Sequence, residues 1–149
     1  EFSSVHIINS SFANLSPFWH RMRLPAVLNL VSNIWQIETR EKTILKWTSN
    51  NPLSLALTPQ WVGEAKQHPL SLRNAFAQLW AASHYFVGKK GKVNSFIYCC
   101  KADHLVNWKC SEKLADYWQL PLECELESGH DLPLDNPDWL AEKIIQRSV

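Results

Sequence analysis

Across 149 residues the chain is 46% hydrophobic and 19% charged, ordinary proportions for one globular domain with a real core, and they exclude a disordered polar chain. Fifteen Lys and Arg balance fourteen Asp and Glu, so a net charge of +1 gives no electrostatic footprint for nucleic acid. No apolar run reaches the length of a membrane span, and neither a membrane nor a nucleic-acid partner is expected.

The opening Glu1-Phe2 fits a cloning remnant, and no signal peptide is legible at the start, which leaves an upstream leader open. Val5 to Ile8 is a short β-branched strand closed by Asn9-Ser10-Ser11. Ser10 and Ser11 read as turn and cap residues rather than nucleophiles, because no glycine flanks them to permit a strained elbow. From Phe12 to about Lys92 the pattern is helical and Trp-rich, without strand alternation. Asn14 or Ser16 can cap a first turn that holds Pro17. Leu24 to Trp35 is apolar nearly all round, which predicts burial on more than one side. Glu38 to Trp47 is amphipathic, with Ile37, Ile44 and Leu45 inward and Arg40, Glu41 and Lys42 outward, and Asn50-Asn51-Pro52 breaks it. Thr58 caps a short helix through Gln67, with Pro59 at its first position. Leu72, Phe76, Leu79, Trp80 and Ser83 trace one face of a helix that ends near Phe86-Val87-Gly88. Trp35, Trp47, Phe76 and Trp80 are expected to be helix-packing core, and Lys89-Lys90-Gly91-Lys92 a solvated turn.

The last third reads as strand, acid, helix, strand, histidine. Phe96 to Cys100 has the length and bounds of a fully buried strand, and Asp103 sits just past its end. Asn107 to Gln119 turns helical, with Leu114, Tyr117 and Trp118 at i, i+3, i+4. Leu122, Cys124 and Leu126 then alternate with Glu123, Glu125 and Glu127, the period of a strand with one solvated face. His130 follows, Leu132 and Leu134 can anchor its loop, and Asp135 or Asn136 caps a final helix that begins at Pro137. Of the cysteines at 99, 100, 110 and 124, three fall in strands, and no Cys-x-x-Cys or Cys/His ligand spacing appears. They are expected to be buried free thiols in a reducing, cytoplasmic setting, with no metal and no cofactor. Two parallel strands joined by a crossover helix place their carboxyl ends on one edge. Asp103 and His130 would then emerge side by side, a carboxylate able to orient an imidazole and stabilise its protonated form. Caps and turns are the competing use of the same residue types. Asp131 and Asp135 are rival acids, but the first adjoins His130 and points away in most turns, and the second is explained as a cap.

The wording Ala102-Asp103-His104-Leu105-Val106 followed by Gly129-His130-Asp131-Leu132-Pro133-Leu134-Asp135 resembles the end of α/β-hydrolase fold enzymes. The resemblance implies an α/β fold, the carboxyl-terminal portion of that architecture. Its short parallel sheet has about three strands near residues 5–9, 94–100 and 122–127. Residues 1–11 and 93–149 would form a partial core, and 12–92 a helical cap insertion roofing an apolar pocket. In the family the triad runs nucleophile, acid, histidine, so the resemblance assigns Asp103 as the acid and His130 as the base. The Gly-x-Ser-x-Gly elbow and the usual oxyanion-hole loop are absent from these residues. A serine or aspartate nucleophile is therefore expected outside the chain, which alone should be inactive. The implied substrate is a small apolar ester or thioester. The implied partner is the missing amino-terminal half, or a second chain, at the open strand edge. The alternative is a truncated, non-catalytic module that binds a protein through that edge.

Overall fold

A computed structural model describes residues 3–147, so Glu1-Phe2 lies outside the described residues. Three strands, β1 (Ser4–Ile8), β2 (Asn94–Cys100) and β3 (Leu122–Glu125), form one sheet in the order β1-β2-β3. Both pairings are parallel, with Ile7 opposite Ile97 and Cys99 opposite Cys124. The expected three-stranded parallel sheet is what forms.

Between β1 and β2 the chain makes five helices: α1 (Phe18–Arg21), α2 (Leu24–Ser32), α3 (Ile37–Thr48), α4 (Thr58–Gln67) and α5 (Leu72–His84). A 3-10 segment at Pro52–Leu57 joins α3 to α4. The crossover from β2 to β3 is α6 (Lys109–Trp118), and α7 (Leu132–Asp135) and α8 (Pro137–Arg147) complete the described chain.

β2 is covered on both faces, which is why its last four residues are all apolar or aromatic and all buried. Ile97 packs with Leu114 and Ala115 of α6 and with Phe12 on one face. Cys100 packs with Leu132 and Leu140 on the other, and Tyr98 meets Trp139 edge-on at 6.0 Å between ring centroids. Gln119 ends α6 in the left-handed region at φ 55°, and Leu120 N–H returns to the Ala115 carbonyl. The start of α6 is two residues later than expected, because the Asn107 side chain accepts from Lys109 N–H instead of joining the helix.

Several sequence expectations need correction. Leu24, Leu28 and Val31 of α2 are exposed, as is Trp35 beyond its end, so this helix buries one side only. Phe76 and Trp80 of α5 are also exposed and Trp47 is half-buried, so these aromatics are not a packed core. Trp80 instead stacks on His84 at 3.9 Å. Glu41 turns inward and pairs with Arg40 at 2.8 Å. Asn14 caps no helix; its amide donates to the Val87 carbonyl and accepts from Val87 N–H, clamping the two ends of the helical stretch together. α5 stops at His84 rather than near Phe86, as Tyr85 is extended. The alternation in β3 fails after Cys124: Glu125 is buried and Leu126 is 70% exposed. The reason is that the chain turns there, with the Glu125 carboxylate accepting from Glu127 and Ser128 N–H. The cap of α8 is Asn136, whose side chain accepts from Trp139 N–H.

At Gly129 the His130 loop lies close against the chain leaving α3. A Cβ there would lie 2.7 Å from the Thr48 carbonyl oxygen and 3.2 Å from Asn50 N. Both are backbone atoms, so they cannot swing away. Gly129→Ala should therefore lower the stability of the chain by about 1–3 kcal/mol, the usual cost of overpacking. A thermal midpoint equal to that of the parent would show that the Thr48–Asn50 segment gives way freely.

Candidate active site

The parallel sheet delivers three loops to one edge. Asn9 leaves β1, Asp103 follows β2, and His130 follows β3. Asp103 is 2% exposed, and its Oδ1 accepts from Leu105 N–H at 2.7 Å and Val106 N–H at 2.9 Å. Those two bonds fix the carboxylate plane and leave Oδ2 aimed outward. His130 Nδ1 lies 2.8 Å from Oδ2. With Nδ1 as the donor to a carboxylate, the neutral ring carries its lone pair on Nε2. Nε2 has no hydrogen-bond partner among the described residues, and the side chain is 30% exposed. The acid on the His130 ring is Asp103, not Asp131 or Asp135.

Three side chains that the sequence reading did not assign to the site hold these loops in place. Asn9 is buried in the left-handed region at φ 47°, which asparagine tolerates better than most residues. Its amide donates to the His130 carbonyl at 2.7 Å and accepts from Cys100 N–H at 2.8 Å, joining all three strand ends. Asn50, after α3, donates to the carbonyls of Ala102 and Glu127, one from each loop. Asp135 accepts from Gly129 N–H at 2.6 Å, Asn50 N–H at 2.8 Å and the Ser49 hydroxyl. The signal for Asn9 was present: an asparagine directly after a β-branched strand suits a left-handed strand end. Nothing in the sequence links Asn50 to residues 77 positions away.

Ser10 and Ser11 follow Asn9. Ser10 Oγ donates to the Ile8 carbonyl at 3.3 Å, a local turn contact. Both serines line a cavity of about 440 Å³ together with Phe12, Phe18, Arg21 and Tyr85. Asp103 and His130 are not among its lining residues.

Cys99 and Cys100 are poor nucleophiles. Burial, partly offset by the Asn9 amide, pushes the Cys100 thiol up to about 12. Burial also pushes Cys99 up, reinforced by its contact with the Cys124 sulfur at 3.0 Å. Among the described residues, no group of three or more His, Cys, Asp or Glu side chains could hold a metal ion. No helix among them is long and apolar enough to cross a membrane.

Two outcomes follow from these environments. Cys99 and Cys100 should resist iodoacetamide in the folded chain at pH 8 and react once it is denatured; native-state alkylation at the rate of a free thiol would contradict their placement. For Glu125, burial alone would raise the carboxyl, but the N–H groups of Ser128 and Glu127 outweigh it and hold the group below its ordinary range. A depressed folded value stabilises the fold above the unfolded carboxyl's value of about 4.3 and is lost as pH falls through the folded one. Glu125→Gln should therefore lower stability at pH 7 by roughly 1 kcal/mol and flatten the acid limb below about pH 4.3. Denaturant melts at several pH values check this, and an unchanged acid limb would refute it.

Comparison with known proteins bears on the fold. No family model and no curated protein sequence matches the chain. Solved structures do. The chain is 13% identical to 2-hydroxy-6-oxo-6-phenylhexa-2,4-dienoate hydrolase from Rhodococcus sp. strain RHA1, with a TM-score of 0.70 over 97% of this chain and 54% of that one. It is 11% identical to a thermophilic esterase from Thermogutta terrifontis, with a TM-score of 0.56 over 97% and 54% of the two chains. It is 14% identical to a variant of the meta-cleavage product hydrolase CumD, with a TM-score of 0.58 over 97% and 64%. At such identities the likeness is one of fold. The chain spans little more than half the length of the first two structures and 64% of the third.

Proposed function

We propose that the chain, which carries part of the α/β-hydrolase fold, is the acid-and-base portion of a hydrolase acting on apolar ester or thioester substrates. The observation that carries this reading is the 2.8 Å contact between the Asp103 carboxylate and His130 Nδ1 at the shared strand edge. His130 Nε2 would take the proton of a nucleophile and return it to the leaving group. Asp103 would hold the ring in that tautomer and stabilise the imidazolium as it forms. Its two backbone donors keep the carboxylate aimed at the ring. α1 to α5, within residues 12–92, would cover the strand ends as a cap and shape the acyl pocket.

The nucleophile, a serine or an aspartate, and the oxyanion donors would come from residues outside this chain, since no Gly-x-Ser-x-Gly occurs in it. β1 offers the place to add them. Among the described residues it pairs only with β2, so its other side presents backbone donors and acceptors to an incoming strand. The same open edge supports a second reading, a non-catalytic module that captures a protein partner by strand addition.

One experiment separates the two. The 149-residue chain should hydrolyse activated aryl esters no faster than its His130→Ala variant, and a fluorophosphonate should not label it. Supplying an upstream segment that contains a nucleophile elbow, in cis or as a second chain, should restore turnover and, for a serine nucleophile, labelling. In that assembly Asp103→Asn should cost roughly 10⁴-fold in kcat, since the wrong tautomer then faces the nucleophile. An upstream segment that binds without restoring turnover favours the second reading. Labelling of the chain alone at Ser10, Ser11 or a cysteine would overturn the first.

A further inference from the structure

The cavity beside Ser10 and Ser11 contains a cation that the protein leaves without a counter-ion. Arg21, the last residue of α1, is 8% exposed. Its guanidinium donates to the carbonyls of Ser83, at 2.8 Å, and Ala82, at the end of α5. That helix end supplies a partial negative charge, well short of a full one. The buried Nε–H has no partner, and Arg21 is in no ion pair among the described residues. The reason lies in the chain itself. Asp and Glu are absent from residues 2–37 and 65–102, the two stretches that supply every lining residue of this cavity. A buried guanidinium with most of its five donors unused is a costly feature unless an anion meets it.

The cavity does not end at Arg21. Met22, Leu79 and Ala82 also line a second cavity of about 400 Å³, enclosed by α2, α3 and α5. Its walls are mainly aliphatic, including Leu30, Ile34 and Ile44. Arg40 borders it but is already paired with Glu41. One space is therefore cationic and flanked by hydroxyls, and its neighbour is apolar.

We infer that the two cavities form one site for an anionic amphiphile. A carboxylate lies against Arg21 with the Ser10 and Ser11 hydroxyls beside it, and an apolar tail passes Met22, Leu79 and Ala82 into the space between α2 and α5. A guanidinium with N–H groups beyond those given to Ser83 and Ala82 suits a carboxylate, and cavities of this size suit a chain of several carbons. The site is tied to the catalytic pair through Asn9, which precedes Ser10 and Ser11 and holds the His130 carbonyl. As a substrate assignment this rests on the hydrolase reading: the substrate carries a carboxylate besides its scissile acyl bond. As a binding site it does not.

Isothermal titration of the 149-residue chain with octanoate, octanamide and butyrate, at constant ionic strength, tests it. Octanoate should bind at least tenfold more tightly than octanamide, which lacks the charge, and than butyrate, which lacks the tail. Arg21→Met should remove the preference for octanoate over octanamide, and Arg21→Lys should keep part of it. Leu79→Trp, which narrows the passage, should weaken octanoate more than it weakens butyrate. Equal affinity for octanoate and octanamide in the parent chain overturns the anion site, and equal affinity for octanoate and butyrate overturns the tail site. No binding by any of the three overturns both. If Arg21→Met does not fold, by circular dichroism, the parent comparison and Leu79→Trp still decide. If octanoate fails to bind while an upstream segment restores ester hydrolysis, the inference falls and the proposed function stands. The converse result removes the function and leaves the site.

Discussion

Backbone groups at the carboxyl ends of parallel strands have no ladder to join, and in this protein side chains satisfy them. Asn9 and Asn50 do so across long sequence separations, and Asp135 does so from six residues away. Buried backbone donors and acceptors must be paired, so these three residues decide where each loop can sit. Asn9 stitches β1 to β2 and to the His130 loop. Asn50 bridges the carbonyls of the two loops that bear Asp103 and His130. Asp135 gathers N–H groups from both the His130 loop and the end of α3. The 2.8 Å acid–histidine contact is the product of that scaffold, because neither side chain reaches the other unless both loops are held.

The same bonds explain how the helical stretch is attached. It meets the sheet layer largely through polar points: Arg23 N–H to the Leu105 carbonyl, Asn107 N–H to the His20 carbonyl, the Asn14–Val87 clamp and the Thr48–Asn51 segment. Its apolar side chains are divided. Some, such as Leu45, are buried, whereas Trp35 and Trp80 stand out. Helices held this way need not fill the space between them, and cavities open beside α2 and α5.

Net charge conceals a division of labour along the chain. Ten of the fourteen acids lie at or after Asp103; among them Asp103, Glu125 and Asp135 accept from loop backbone, and Glu123 pairs with Lys143 and Arg147 of α8. The helical stretch around the cavities has cations without acids over most of its length. A balance of +1 excludes a strong overall field, yet it says nothing about one buried guanidinium.

Local pattern carried much of this protein. The buried run Phe96–Cys100, the crossover helix and the placement of Asp103 and His130 just past two strand ends were legible, because period and parallel topology follow from the residues themselves. Pattern misled where burial depends on distant neighbours. Glu125 sits inward because a turn offers it two N–H groups, and the apolar face of α2 stays outward because no element among the described residues covers it. Asn50, Asp135 and Arg21 acquire their roles from backbone groups far away in sequence. Hydrogen-bond partners at such separations leave no periodicity to read, so only the tertiary structure decided them.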